Sequence, residues 1–226
     1  MSETTLSGYA VYPRSVVEQV GTTYRLGRGP EGRVLLITGE AEGFEGYRLG
    51  DLFIGPLSPA NAALLRQRLP WLHPQTLGLR RSLGSGDRLG LATPGHLRAV
   101  VKANNSGLPA VAPIPAQQSM RENARTGRSP QQVIDEAMWG IFQEGWRDPW
   151  GADADHLKTT DDVELCVAAG YTFYTVDPGD HVNNQAHTAS LEQLRALAAG
   201  LPWQALNDTL EGLEGRYLGR GFGVEG

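Results

Sequence analysis

Ionisable side chains are concentrated in the segment GADADHLKTTDDV, which spans residues 151–163 and precedes a predicted helix. Imidazole and carboxylate groups are suitable ligands for Zn, Mn, Ni or Co ions, and a positioned carboxylate can act as a general base. Asp155 and His156 are neighbours, however, and neighbouring side chains of a strand face opposite sides of the sheet. Both can face one site only if the strand has ended between them; otherwise His156 has a surface or a hydrogen-bonded structural role.

Two other predicted strands also end in polar side chains. Gln117, Gln118 and Arg121 follow one strand, and Asp177, Asp180 and His181 follow another. Because the carboxyl ends of parallel strands meet at one edge of a sheet, we expect these side chains to lie near Asp155. They are candidates for binding a substrate, and the alternative for each is a solvated turn or loop.

Three of the charged candidates allow more than one chemistry. Arg121 could hold the carboxylate of a sugar acid through two hydrogen bonds, or it could lie in a solvated loop. Lys158 could form a Schiff base, bind a carboxylate, or make a plain salt bridge to Asp153 or Asp161. His181 could bind a metal or an anionic substrate, or stand in a turn in water.

The elements that must position these residues are indicated by short local patterns. Apolar runs separated by glycine make residues 1–57 a small β-rich region. Ser58–Pro59 and Ser129–Pro130 are N-cap and first-turn pairs that begin helices. The run RLGLA at 88–92 is short and apolar, so we expect a strand there, followed by a helix with Thr93 as its N-cap.

Strand and helix alternate from about residue 85 onward, which is typical of parallel βα units. An open doubly wound sheet and part of a (β/α)8 barrel both fit this order. A last helix is predicted over residues 190–199, with its leucines facing inward: Leu191, Leu194 and Leu197. No GxGxxG or GxxxxGK[ST] motif follows a strand, which disfavours nucleotide binding.

Composition limits the class of protein. The 226 residues are 40% hydrophobic and 20% charged, which is typical of a soluble globular chain, and the formal net charge of -5 disfavours a nucleic-acid partner. No run of about 18 apolar residues is present to span a membrane, and the N-terminus lacks the features of a secretory signal. The single cysteine, Cys166, fits a reducing compartment. We therefore expect a cytoplasmic protein that has no membrane or nucleic-acid partner.

The blocks ADADHLKT and TVDPGDHV, together with GDRLGLATPGHLRAV, closely resemble the tagaturonate epimerase family over residues 85–226. The resemblance implies a divalent-metal-dependent epimerase that interconverts D-tagaturonate and D-fructuronate on a TIM-barrel-like scaffold. It implies that Asp155 is the proton acceptor and that His156 is a ligand of the metal, whose identity among Mn, Zn, Ni and Co stays open. Residues 58–226 would then form a barrel-like domain after the β-rich region of residues 1–57.

The resemblance covers only the N-terminal half of that family. In family members a catalytic glutamate and further metal-binding histidines lie in the half that follows, so we expect an incomplete barrel and a fragment or one member of a split pair. The alternative is a non-catalytic module that binds a sugar acid or serves assembly. Expected partners are a small sugar acid and either a separate C-terminal half or a second copy of the chain, because open sheet edges favour association.

Overall fold

The computed structural model describes residues 5–107, 109–221 and 223. The chain divides into two units, residues 1–177 and residues 178–226. No helix within the described residues is long and apolar enough to cross a membrane. The division at residue 57 that the sequence suggests stays a prediction.

The first unit begins with an antiparallel sheet, which confirms the β-rich character predicted for this region. Within the described residues its strands are β1 (Thr5–Leu6), β2 (Tyr9–Val11), β3 (Val17–Gln19), β4 (Thr22–Gly29), β5 (Gly32–Thr38), β6 (Tyr47–Leu49) and β7 (Leu52–Gly55). They lie in the order β1-β2-β4-β5-β7-β6, and β3 also pairs with β4. Side chains alternate between two apolar clusters, since Leu35 and Ile37 face the main core while Leu36 packs with Ile54 on the other side.

The predicted helix starts are confirmed where serine precedes proline. Helix α1 (Pro59–Arg68) begins after Ser58, whose side chain accepts a hydrogen bond from the Asn61 N–H. Helix α4 (Pro130–Glu144) begins after Ser129 in a complete capping box with Gln132. Its residues are buried around most of its circumference, so α4 is the central helix of the first unit.

The strand predicted at residues 88–92 is wrong. Strand β8 lies earlier, at Ser82–Gly84, while Leu89 and Leu91 are 74% and 70% exposed. The Asp87 carboxylate accepts hydrogen bonds from the N–H groups of Leu89, Ala92 and Thr93, and this holds the segment as a turn. Thr93 is therefore the first residue of helix α2 (Thr93–Asn104) rather than its N-cap.

Parallel βα units follow, as the alternation of strand and helix predicts. Strand β8 pairs with β9 (Ala112–Ile114), and strands β10 (Ala116–Ser119), β11 (Ala152–Leu157) and β12 (Phe173–Val176) form a parallel sheet in that order. A hydrogen bond from the Gly151 N–H to the Pro113 carbonyl continues the pairing toward β9. Helices α3 (Met120–Thr126), α4 and α5 (Thr160–Ala169) connect the strands, and the described residues form no closed barrel.

The second unit is helical in its described part. It contains two short 3-10 helices, Gly179–His181 and Asn184–His187, followed by α6 (Leu191–Ala199) and α7 (Leu210–Tyr217). Of the three leucines of α6 predicted to face inward, Leu191 and Leu197 are 63% and 43% exposed, and Leu194 is half-buried. None of the described residues from 178 onward is buried.

Candidate functional site

An irregularity at the end of β11 decides where the predicted catalytic pair points. The pairing of β11 with β12 shifts in register between Ala154 and Leu157. Within this shift His156 has a φ of 55°, a left-handed backbone conformation that few residues other than glycine adopt, although histidine is among the enriched ones. Such a bulge re-aims side chains. Both Asp155 and His156 consequently line the same pocket, which a regular strand would not allow.

The two side chains also contact each other. His156 Nδ1 lies 2.8 Å from Asp155 Oδ1. Nδ1 is therefore the ring nitrogen that faces the carboxylate, and Nε2 is the ring nitrogen left for a ligand. The Asp155 side chain is about four-fifths buried, and the His156 side chain is more than half exposed.

The pocket has a volume of about 690 Å³ and lies at the carboxyl ends of the parallel strands. Its walls come from the turn before α2, from β10, from the start of α3 and from the bulge in β11. Those walls are formed by Gly86, Asp87, Arg88, Leu89, Leu91, Ala92, Gln117, Ser119, Arg121, Glu122, Asp155 and His156. This position matches the general rule that ligands of parallel α/β folds bind beyond the carboxyl ends of the strands.

Two guanidinium groups line the pocket. Arg88 pairs with Glu122 in the first turn of α3, and its side chain is 68% exposed. Arg121 is exposed, lines the same pocket and has no hydrogen bond or ion pair within the described residues. Arg121 can therefore offer its full fork of donors to a carboxylate. The turn at residues 88–92 brings Arg88 to Glu122 at the start of α3.

Asp87 serves the architecture of the pocket rather than its chemistry. Burial alone would raise the pKa of Asp87, but hydrogen bonds from the N–H groups of Ala92, Leu89, Leu91 and Thr93 outweigh it and hold the pKa below its ordinary value. The ionised carboxylate thus fixes the turn that forms one wall.

A second carboxylate lies beneath the pocket. Asp153 is 5% exposed, and it accepts hydrogen bonds at 3.0 Å from Gln117 Nε2 and from Thr175 Oγ1. Burial raises the pKa of Asp153, the two hydrogen bonds lower it only in part, and the neighbouring Asp155 adds to the rise. The period of two along β11 was the signal that could have singled out Asp153, since it shares a face with Asp155.

Gln118 lies on the opposite face of β10 from this network. Gln118 is 2% exposed. Its side-chain amide donates a hydrogen bond to Thr126 Oγ1 at 3.0 Å and accepts one from Arg128 Nη1 at 2.5 Å. Arg128 also donates to the Asp87 carbonyl at 2.6 Å, so Gln118 helps to anchor the turn before α2. Gln117, and not Gln118, is the glutamine that lines the pocket.

Lys158 and Asp177, two further residues predicted from the sequence, contact each other. Lys158 Nζ is 3.8 Å from Asp177 Oδ2, a partner that the sequence did not suggest. Neither Lys158 nor Asp177 lines the pocket. His181 belongs to the second unit, and its role stays a prediction.

The residues around His156 fit a divalent metal in kind but not in number. Imidazole Nε2 is a common metal ligand, and a carboxylate on Nδ1 is the usual partner of such a histidine. Among the described residues, however, no group of three His, Cys, Asp or Glu side chains could hold a metal ion. His156 supplies one of the roughly three protein ligands that a catalytic site needs.

Comparison with known proteins gives a consistent result. The sequence pattern of the tagaturonate epimerase family matches residues 12–226. The tagaturonate/fructuronate epimerase of Thermotoga maritima is 41% identical over 193 residues, which are 82% of this chain and 39% of the relative.

Solved structures of the fructuronate-tagaturonate epimerase of Cohnella laeviribosi share the fold. The native crystal structure matches with a TM-score of 0.82 at 33% identity, over 97% of this chain and 44% of that chain. The structure complexed with two glycerols matches with a TM-score of 0.81, over 96% of this chain and 43% of that chain. This chain thus spans 39% to 44% of the length of these relatives.

Proposed function

The chain belongs to the tagaturonate epimerase family, and from that membership we propose that it takes part in the interconversion of D-tagaturonate and D-fructuronate. The observation that carries the proposal is the contact of Asp155 with His156 at 2.8 Å inside a pocket that Arg121 also lines. This arrangement combines a candidate base, a candidate metal ligand and a candidate carboxylate-binding residue. The proposed enzyme is an isomerase of hexuronate breakdown in the cytoplasm.

Asp155 is the proposed proton acceptor. The two sugar acids differ at a hydroxyl-bearing carbon β to the ketone, and the ketone does not acidify the C–H bond at that carbon. A retro-aldol route avoids this difficulty. Asp155 takes the proton of the β-hydroxyl, the bond between the α and β carbons breaks to give an aldehyde and an enediolate, and the aldehyde rotates. The bond between the α and β carbons then re-forms on the other face of the aldehyde, and Asp155 returns the proton to the new alkoxide.

His156 is the proposed ligand of a divalent cation, with further ligands from outside the described residues. When bound, such a cation would neutralise the negative charge that develops on oxygen. Within this chain, Asp155 faces Nδ1, so Nε2 is the ring nitrogen that would bind the cation. The identity of the metal among Mn, Zn, Ni and Co is left to experiment.

Arg121 is the proposed binding residue for the carboxylate of the sugar acid. It lines the pocket together with Asp155 and His156 but comes from the first turn of α3. A guanidinium holds a carboxylate in two parallel hydrogen bonds, which also fixes the orientation of the sugar chain. Gln118, Lys158 and Asp177 do not line this pocket, and the role of His181 in binding the substrate stays a prediction.

The second candidate function is a non-catalytic module that binds a sugar acid. It is favoured by the incomplete set of metal donors among the described residues. Completion of the site by a separate C-terminal half or by a second copy of the chain would favour the epimerase.

Turnover distinguishes the two candidates. The purified chain is incubated with D-tagaturonate and, in separate samples, with Mn, Zn, Ni or Co ions, and D-fructuronate is measured by ion-exchange chromatography. We expect Asp155→Asn to lower turnover by about 100-fold to 10,000-fold, the usual contribution of a positioned base. Asp161→Asn is the matched control, because Asp161 is exposed in the first turn of α5.

Three outcomes are informative. Loss of turnover in Asp155→Asn but not in Asp161→Asn supports the epimerase. Binding of D-tagaturonate without turnover, in the chain alone and in mixtures with a separate C-terminal half, supports the binding module. Near-normal turnover of Asp155→Asn would reject Asp155 as the base.

A further inference from the structure

Gln117 lies where the floor of the pocket meets the sheet. It is half-buried in β10 and lines the pocket, and its residue pairs directly with Asp153 across the parallel ladder. A side chain of this type can present either a donor or an acceptor to a ligand, and the choice depends on which end of the amide its neighbours hold.

The orientation of the Gln117 amide is fixed by its hydrogen bond to Asp153. Its Nε2 donates to Asp153 Oδ2 at 3.0 Å, and Asp153 is itself held by Thr175 Oγ1 at 3.0 Å. The donor end of the Gln117 amide thus faces Asp153, and its acceptor end is left for a ligand. The other end, Oε1, accepts no hydrogen bond among the described residues and is not one of their buried polar atoms.

Gly84 provides the space for this amide. A Cβ atom at position 84 would lie 2.6 Å from Gln117 Oε1 and 2.9 Å from Gln117 Nε2, which is closer than real Cβ contacts. The amide therefore lies flat against the glycine backbone of β8. Three strands besides its own thus define the position of Gln117: β8 through Gly84, β11 through Asp153 and β12 through Thr175.

We propose that Gln117 binds a hydroxyl group of the sugar acid through Oε1, and that Asp153 is the positioning residue that turns this acceptor toward the pocket. The proposal deepens the proposed function and rests on it. A polyhydroxy acid offers a hydroxyl donor on most of its carbons, while Arg121 is suited to its carboxylate and Asp155 to the reacting hydroxyl. Gln117 lies in the same pocket as both.

Exchanging the carboxylate at position 153 with the amide at position 117 tests whether Asp153 positions Gln117. In Asp153→Asn the new amide can donate to Gln117, so that Gln117 turns over and presents Nε2 to the pocket. The double variant Asp153→Asn with Gln117→Glu restores an amide donor opposite a carboxylate and returns an acceptor to the pocket. A role in stability alone would not make the double variant bind better than the single one.

Affinity for D-tagaturonate is measured by calorimetry on the whole chain, and KM and kcat are measured where turnover occurs. We expect Gln117→Leu and Asp153→Asn each to weaken binding roughly 10-fold to 100-fold, because a buried polar contact is lost, and to raise KM more than they lower kcat. The double variant should regain most of the lost affinity. Gln143→Leu is the matched control, since Gln143 is a half-buried residue of α4 that does not line the pocket.

A variant at Gly84 gives a second test that removes no functional group. Gly84→Ala should displace the Gln117 amide, which is the flexible end of a side chain, and weaken binding while the thermal midpoint stays close to that of the unmodified chain. Unchanged affinity in Gln117→Leu, or a double variant no better than Asp153→Asn, would overturn the inference. Failure of the unmodified chain to bind D-tagaturonate would instead overturn the proposed function.

Discussion

The antiparallel sheet and the parallel strands of the first unit bury different kinds of residue. At the centre of the antiparallel sheet, Leu26, Leu35 and Leu36 are fully buried hydrocarbons. At the centre of the parallel strands, Asp153 and Gln118 are almost as well buried but are polar, and the side chain of each makes two hydrogen bonds. Burial of polar groups costs free energy unless each is paired. The first sheet therefore serves stability, and the second holds polar groups in place beneath a pocket.

Among the substitutions that test this difference between the two sheets, the largest loss of stability is expected in the antiparallel sheet. Leu35→Ala should lower the free energy of unfolding by about 2–5 kcal/mol, because it removes a fully buried side chain and leaves a cavity. Chemical denaturation measures the loss. Val34→Ala on the same strand is the control and should cost less, since Val34 is only partly buried. A loss below that of Val34→Ala would contradict the assignment of the main core.

The next effect concerns the wall of the pocket. Asp87→Ala should lower the free energy of unfolding by about 1–3 kcal/mol, since the N–H groups of Leu89, Ala92 and Thr93 lose their acceptor. Exchange of these amide hydrogens with solvent, followed by NMR, should become faster at the same time. Unchanged exchange would show that another group holds the turn.

A smaller effect tests the bulge that turns Asp155 and His156 to one side. His156→Val should be less stable than His156→Gly by about 1–2 kcal/mol, because a β-branched residue is strained at a φ of 55°. At Tyr174 in β12, where φ is ordinary, the order should be reversed in favour of valine. If valine were more stable than glycine at both positions, residue 156 would lie in a regular strand.

The smallest expected effect is a difference in how the free energy of unfolding depends on pH in two variants. The pKa of Asp87 is lowered, so its stabilising contribution is present above about pH 4 and is lost as the pH falls through the folded pKa. The pKa of Asp153 is raised, so its ionisation destabilises the fold as the pH rises from about 4 through the folded pKa. Between pH 3 and pH 7, Asp87→Asn should therefore lose stability relative to the unmodified chain with rising pH, and Asp153→Asn should gain. Equal slopes in denaturation experiments would contradict the two opposite shifts.

Local chemistry explains which parts of the fold the sequence could predict. The helix starts at Ser58 and Ser129 depend on a hydroxyl, a proline and three following residues, all within one turn of chain. The run at 88–92 was predicted wrongly because its local pattern does not show the group that determines its conformation. Its leucines imitate a strand, while the group that shapes it, the Asp87 carboxylate, acts through backbone N–H groups that carry no sequence signal.

The site could be predicted only in part, because it depends on register. Asp155 and His156 are predicted from the sequence and both line the pocket, but their joint orientation depends on a bulge that no local pattern of side chains marks. Choosing between Gln117 and Gln118 required the pairing of β10 with β11, since a shift of one residue moves a side chain to the other face. A single sequence specifies the alternation along a strand but not which face meets the pocket.

A crystal structure of the chain soaked with D-tagaturonate tests the proposed site most directly. We predict that the sugar acid lies in the pocket beside Asp155 and His156, with its carboxylate on Arg121 and a hydroxyl on Gln117 Oε1. A sugar acid bound elsewhere, or a regular β11 with Asp155 and His156 on opposite faces, would contradict it.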